Sequence, residues 1–98
     1  LRWMFAIPNG GSRGGTKAQR QREGARMKAE GVKPGIPDIF LPRPLDGHSG
    51  LYIELKRPGG RTSSEQQDFL LYAELQGYKC AVCEGYVEGV NTIIDYLQ

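Results

Sequence analysis

The sequence predicts an α/β fold in which a mixed β-sheet is flanked by helices. Its clearest strand is Leu51–Lys56, where apolar and polar residues alternate as on a half-buried strand. A helix signal follows at Ser63, and a further strand is predicted at Lys79–Glu84. In chain order the predicted elements are β-α-β-β-α-β-α. A chain of 98 residues allows one domain, residues 1–98, with one modest core.

Two elements are predicted before residue 31. The period-two pattern of Leu1–Ile7 predicts a half-buried strand, and a glycine-rich loop at 9–15 follows it. This loop is interpreted as a phosphate-contacting loop rather than a plain linker. Thr16 is the expected N-cap of a helix over Lys17–Glu30, whose apolar stripe is so thin that the helix should lie at the surface or across a partner. A solvated charged helix without a partner is the alternative.

The formal net charge of +2 conceals an asymmetry along the chain. Residues 1–35 contain eight basic and two acidic side chains, whereas residues 36–98 contain five basic and nine acidic ones. A basic segment of this kind is typical of a surface that follows a phosphate backbone. The candidate nucleic-acid contacts are Asn9, Arg13, Lys17, Arg20, Arg22, Arg26, Lys33, Arg57 and Arg61.

A candidate metal site lies around the central strand. Asp38–Leu41 follows a proline and predicts a strand that pairs with the central one through a Pro- and Gly-rich connection. Glu54 and Lys56 project side by side, and Asp38 can bring a second carboxylate alongside them. Mg²⁺ prefers oxygen ligands, which the two carboxylates and the Leu55 carbonyl would supply. Lys56 would position the attacking water or stabilise the transition state. The alternatives are a turn residue at Asp38 and a solvated E-x-K face.

Two helices are predicted in the second half of the chain. Ser63 and Gln66 have the spacing of a capping box, which starts a helix that runs to about Gln76. The residues expected to form its core-facing stripe are Phe69, Leu71, Tyr72, Ala73 and Leu75. A last helix is predicted over roughly Val87–Leu97.

Several classes of protein are disfavoured by composition. No apolar run reaches the roughly 18 residues that a membrane span requires, and no signal peptide is visible. Cys80 and Cys83 point to opposite faces of a strand, which argues against a shared zinc or a disulfide and favours two reduced thiols in a cytoplasmic protein. His48, the single histidine, is given no catalytic role.

The site residues and their flanks resemble a known family. Pro37-Asp38 and Glu54-Leu55-Lys56 resemble the PD-(D/E)XK nuclease superfamily. The flanks resemble the virus-type replication-repair nuclease (VRR-NUC) domain, in the segments PNGG at 8–11, GVKPGIPD at 31–38, KRPGGR at 56–61 and SSEQ at 63–66. The resemblance covers nearly the whole chain and implies a restriction-endonuclease-like core.

The resemblance also implies a function. It predicts a DNA endonuclease that depends on Mg²⁺ or Mn²⁺ and acts on branched or flapped DNA, with members of this kind working as homodimers like Holliday-junction resolvases. The implied catalytic residues are Asp38, Glu54, Lys56 and Gln66, and the implied metal ligands are Asp38, Glu54 and the Leu55 carbonyl. Gln66 is expected to serve either as a helix cap or as a support for the site. The protein would act in the cytoplasm, or in the host cytoplasm if phage-encoded.

One feature of the family is not matched. The family usually has a further glutamate on a helix before the first strand, where it helps to hold the metal. This chain begins at Leu1, inside the first predicted strand, so that helix is expected to be missing and metal binding to be weaker. Glu23 and Glu30 do not match that position. A non-catalytic nucleic-acid-binding module that retains the fold is therefore the alternative.

Overall fold

The described residues form a mixed four-stranded sheet with one helix on each face. A computed structural model describes residues 2–8, 22 and 34–98. The elements are β1 (Phe5–Ala6), β2 (Ile39–Leu41), β3 (Leu51–Lys56), α1 (Ser64–Leu75), β4 (Lys79–Glu84) and α2 (Gly85–Leu97). The strand order is β1-β2-β3-β4, with β1–β2 and β2–β3 antiparallel and β3–β4 parallel. This arrangement confirms the predicted fold class.

The core lies between α2 and one face of the sheet. The odd-numbered residues of β3 point to this side, where Leu51 and Ile53 are fully buried. Ile93 of α2 belongs to the same buried cluster as these two residues. Gly89 brings the helix axis close to the strand, since a Cβ added there would lie 3.0 Å from Cδ2 of Leu55. The alternation of β3 therefore predicts the buried face correctly.

The opposite face of the sheet carries α1 and the polar residues of β3. Ser63 is the N-cap of α1, and the reciprocal capping box with Gln66 is present, as predicted. After the last turn, Gly77 adopts a φ of +95°, and its carbonyl accepts a hydrogen bond from the Ser49 N–H at 2.8 Å. The helix therefore runs beside β3 from the Lys56 end to the end where the strand begins.

Two predictions about packing are wrong. The first strand has two paired residues rather than seven, because its partner β2 is only three residues long, and Trp3 and Phe5 are largely exposed. The predicted core stripe of α1 is also incorrect for three of its five residues, since Leu71, Tyr72 and Leu75 are exposed. Of the other two, Ala73 is buried, as predicted, and Phe69 is half-buried. Helical spacing alone does not show which arc of a helix faces the sheet.

The basic helix predicted over Lys17–Glu30 lies outside the described residues, apart from Arg22. That residue is helical and exposed. No helix within residues 2–8, 22 and 34–98 has the length and apolar composition needed to cross a membrane.

Candidate active site

Asp38 lies beside the backbone of Glu54, where β2 begins and β3 ends. The Asp38 N–H donates to the Ile53 carbonyl at 3.1 Å, which places Asp38 beside β3. The Leu55 N–H in turn donates to Oδ2 of Asp38 at 2.8 Å. Because this amide belongs to the peptide bond that joins Glu54 to Leu55, the Asp38 carboxylate lies against the backbone of Glu54. The structure thus brings together two acidic residues that are 16 positions apart in sequence.

The Leu55 carbonyl belongs to the same edge of the strand. The N–H and C=O of a strand residue point toward the same neighbouring strand, so this carbonyl faces the side on which Asp38 lies. Pro37, which precedes Asp38, is fully buried. Because it is a proline, it has no N–H to donate to the Leu55 carbonyl. On this edge of β3 the Leu55 N–H donates to a side-chain oxygen of Asp38 rather than to a backbone carbonyl.

Glu54 is a buried carboxylate held by two donors. The residue is only 4% exposed. Its Oε1 accepts a hydrogen bond from Nε2 of Gln66 at 2.7 Å and lies 3.4 Å from Nζ of Lys56. Both contacts oppose the desolvation penalty of a charge in this position. The predicted E-x-K pair is consequently an enclosed ion pair rather than a solvated face.

Gln66 is both a helix cap and a member of the site. Its Oε1 accepts from the Ser63 N–H at 2.7 Å and from Nζ of Lys56, also at 2.7 Å. Its Nε2 donates to Glu54. The orientation of the amide follows from these neighbours, because the flipped amide would place a donor against two donors. Gln66 therefore makes the contacts of a helix cap together with contacts to Glu54 and Lys56, which the sequence-based expectation had treated as alternatives.

The segment before Asp38 is packed directly onto the first turn of α1. Gly35 has a φ of +86°, and a Cβ added there would lie 2.7 Å from the backbone carbon and oxygen of Glu65. Only glycine allows this approach together with a positive φ. Because Glu65 precedes Gln66, the contact fixes the chain that carries Asp38 against the helix that carries Gln66.

The candidate nucleic-acid contacts are only partly described. Arg57 and Arg61 are exposed in the loop that follows Lys56, and a turn closed by the Gly60 N–H and the Arg57 carbonyl shapes this loop. The predicted contacts that lie outside the described residues are Asn9, Arg13, Lys17, Arg20, Arg26 and Lys33.

Sequence reasoning missed an aromatic cluster next to these residues. Tyr52 shares a face of β3 with Glu54, and its ring lies 4.5 Å from Phe40, 5.2 Å from Phe69 and 5.4 Å from Tyr78, measured between centroids. The available signal was the alternation of β3, which places Tyr52 on the site face two residues before Glu54.

A divalent ion is compatible with these donors. Among the described ranges no group of three or more His, Cys, Asp or Glu side chains gathers as a metal site. Mg²⁺ does not need such a group, since it is commonly held by one or two carboxylates together with waters and substrate phosphates. Asp38, Glu54 and the Leu55 carbonyl provide hard oxygen donors of this kind.

Comparison with known proteins now decides the family. The model of the VRR-NUC domain matches residues 13–86, which is most of the chain. The chain belongs to the VRR-NUC family. Membership of the VRR-NUC family implies a nuclease-type function.

A solved structure supports the fold. The structure named "VRR_NUC domain protein" superposes with a TM-score of 0.75 at 22% sequence identity, over 98% of this chain and 68% of that one. At this identity the likeness shows that the VRR-NUC fold is shared. A comparison with curated proteins found no match.

Proposed function

We propose that this VRR-NUC protein is a divalent-metal-dependent DNA endonuclease that hydrolyses phosphodiester bonds in branched DNA. One observation carries the proposal. Asp38 is bonded to the amide that follows Glu54, while Glu54 is held beside Lys56 by Gln66. These contacts support a site in which two carboxylates and an ammonium group act together at one end of β3.

The ion would be Mg²⁺ or Mn²⁺. We assign Asp38, Glu54 and the Leu55 carbonyl as its protein ligands, because all three are oxygen donors on the same stretch of the sheet. A bound ion would acidify a water molecule and neutralise charge on the scissile phosphate.

The protein's own groups would organise the rest of the reaction. Lys56 is 16% exposed, so its ammonium is accessible at the surface of the site while Gln66 and Glu54 restrict its position. Such a group stabilises charge that develops on phosphate oxygens, or orients the attacking water. Gln66 would hold the side chains of Lys56 and Glu54 in fixed positions relative to each other. Arg57 and Arg61 would neutralise neighbouring phosphates.

A four-way junction is the proposed substrate, and a homodimer is the proposed active form. Two symmetric cuts across a junction need two active sites, and a single VRR-NUC domain supplies one. Cys80 and Cys83 are both free thiols. This state suits a reducing compartment, and we place the activity in the cytoplasm.

Cleavage of labelled DNA tests this proposal. A four-way junction, a flap and a linear duplex are incubated with the protein and Mg²⁺ or Mn²⁺, then with EDTA. Cleavage should depend on the metal and should favour the junction. Asp38→Asn and Lys56→Ala should each lower the cleavage rate by at least about a hundredfold, because the first removes a metal ligand and the second a group that acts on the reacting phosphate.

Lys79→Ala is the matched control, since Lys79 is an exposed lysine at the start of β4. This variant should cleave at the wild-type rate. Preference for the flap over the junction would make the protein a flap endonuclease. Salt-sensitive DNA binding without metal-stimulated cleavage would instead identify a non-catalytic nucleic-acid-binding module.

A further inference from the structure

An open aromatic cavity adjoins the candidate active site. Its volume is about 340 Å³, which lies within the range of small-molecule sites. It is lined by Tyr52, Phe69, Tyr72, Ala73, Gln76 and Tyr78. The cavity therefore lies between the site face of the sheet and the second half of α1.

The cavity lies a short distance from the candidate catalytic residues along both of its walls. On β3, Tyr52 and Glu54 are two residues apart on one face, which corresponds to about 7 Å along the strand. On α1, Phe69 lies one turn after Gln66, a rise of about 4.5 Å. A phosphate held near Glu54 and Lys56 would thus place the base of a neighbouring nucleotide at the cavity, since stacked nucleotides are spaced by about 3.4 Å along one strand.

The aromatic rings of the walls are already held in place by one another. The Tyr52 ring is fixed by edge contacts with Phe69 and Tyr78, at interplanar angles of 84° and 64°. Rings that are fixed before binding lose little conformational freedom when a ligand stacks on them. Tyr72 contacts Phe69 at a centroid distance of 6.4 Å, but is itself 60% exposed, which leaves its ring at the rim.

The lining also contains polar groups suited to the edge of a base. Gln76 is exposed and carries an amide that both donates and accepts hydrogen bonds. Burial, and secondarily the neighbouring Tyr78, raises the pKa of the Tyr52 phenol above its usual value. This phenol therefore keeps its proton at neutral pH and remains a hydrogen-bond donor.

We propose that this cavity binds one unpaired nucleobase of the DNA strand that is cut, within one or two nucleotides of the scissile phosphate. The proposal rests on the proposed nuclease function and makes it more specific. Stacking on aromatic side chains tolerates every base, so the cavity would select for unpaired DNA rather than for sequence. A branch point, where bases are already unpaired, lowers the energy needed to place a base there.

Binding of forked DNA with and without bases tests the proposal. The DNA is a fluorescent fork in which an abasic residue replaces the unpaired nucleotides nearest the branch, one position at a time. Affinity is measured by anisotropy in a Lys56→Ala background, which prevents cleavage. For at least one position, loss of the base should weaken binding by about fivefold to a hundredfold.

Variants of Tyr72 test whether the loss of affinity for the abasic forks arises in the cavity. Tyr72→Leu should weaken binding of the intact fork by a similar factor and remove the difference between the intact and abasic forks. Tyr72→Phe keeps the ring and should retain that difference. Tyr86→Leu is the matched control, because Tyr86 is 78% exposed on α2 and lines no part of this cavity. It should bind like the parent protein.

The outcomes separate the two proposals. Equal affinity for every abasic fork, or a Tyr72→Leu variant that still distinguishes them, overturns the base-binding cavity. The unmodified protein is tested in parallel for Mg²⁺-dependent cleavage of the same fork. A protein that does not cleave but shows the Tyr72-dependent preference keeps the cavity and loses the nuclease. A protein that cleaves the fork but shows no Tyr72-dependent preference keeps the nuclease and loses the cavity.

Discussion

The helices α1 and α2 flank the same sheet but contribute in different ways. α2 buries Gly89 and Ile93 against the apolar face of β3 and β4 and closes the core. α1 buries only Ala73 and leaves Leu75 75% exposed. Its first turn instead provides Gln66, whose side chain contacts the cap, Lys56 and Glu54.

This difference separates stability from function along the chain. The apolar face of β3 is stabilised mainly by α2, where burial of aliphatic side chains contributes most. The polar face is organised by α1 through a few directional hydrogen bonds, which contribute less to stability but fix the geometry of charged groups. We expect substitutions in α2 to affect folding and substitutions in the first turn of α1 to affect cleavage.

Truncation of one aliphatic residue on each helix tests this comparison with the largest expected effect. Ile93→Ala should lower the free energy of unfolding by about 2–5 kcal/mol, because it leaves a cavity in the core. Leu75→Ala should change it by less than about 0.5 kcal/mol, since the side chain is exposed. Urea unfolding measures both values. Equal losses would contradict the assignment of the core to α2.

A pair of glycines tests how firmly α1 is attached to the Asp38 segment. Gly35→Ala and Gly47→Ala both place alanine at a positive φ, +86° and +80°, at a cost of about 1–2 kcal/mol each. Only Gly35→Ala also forces a Cβ against the backbone of Glu65, which should add about 1–3 kcal/mol.

The same pair should differ in activity. Gly35→Ala should slow cleavage per folded molecule, because Asp38 and Gln66 would shift relative to each other. Gly47 lies in the turn between β2 and β3, where an added Cβ meets nothing within 4 Å, so Gly47→Ala should cleave normally. If Gly35→Ala and Gly47→Ala have the same free energy of unfolding, the contact with Glu65 relaxes without any cost in stability.

The smallest predicted effect separates the two functions of Gln66. Ser63→Ala and Gln66→Ala should each destabilise the protein by about 1 kcal/mol through loss of the capping box. Gln66→Ala should in addition lower cleavage by about tenfold to a hundredfold, as expected for a residue that orients others in the site. If Ser63→Ala lowers cleavage as strongly, the effect of Gln66 is that of a cap alone.

The sequence predicted the elements whose signals are local. The alternation of β3 and the capping box at Ser63 both depend on residues within a few positions, and both are observed. The antiparallel pairing of β2 with β3 also followed, once a hairpin was assumed. These predictions hold because the side-chain directions on a strand follow from its pleat.

The rest depends on contacts between distant segments. The orientation of α1 could not be predicted, because its apolar residues do not mark the arc that faces the sheet. The double contact of Gln66 requires the distance between α1 and β3 to be known. The aromatic cavity brings Phe69 of α1 together with Tyr78, which lies between α1 and β4. The close approach of Gly35 to Glu65 leaves no sequence signal beyond a glycine.

A calorimetric titration with Mn²⁺ tests the central claim most directly, namely that Asp38 and Glu54 hold a common ion. The wild-type protein should bind Mn²⁺, and Asp38→Asn and Glu54→Gln should each abolish measurable binding. Asp46→Asn, which changes an exposed aspartate in the turn between β2 and β3, should bind like wild type. Wild-type affinity in Asp38→Asn or Glu54→Gln would contradict the claim.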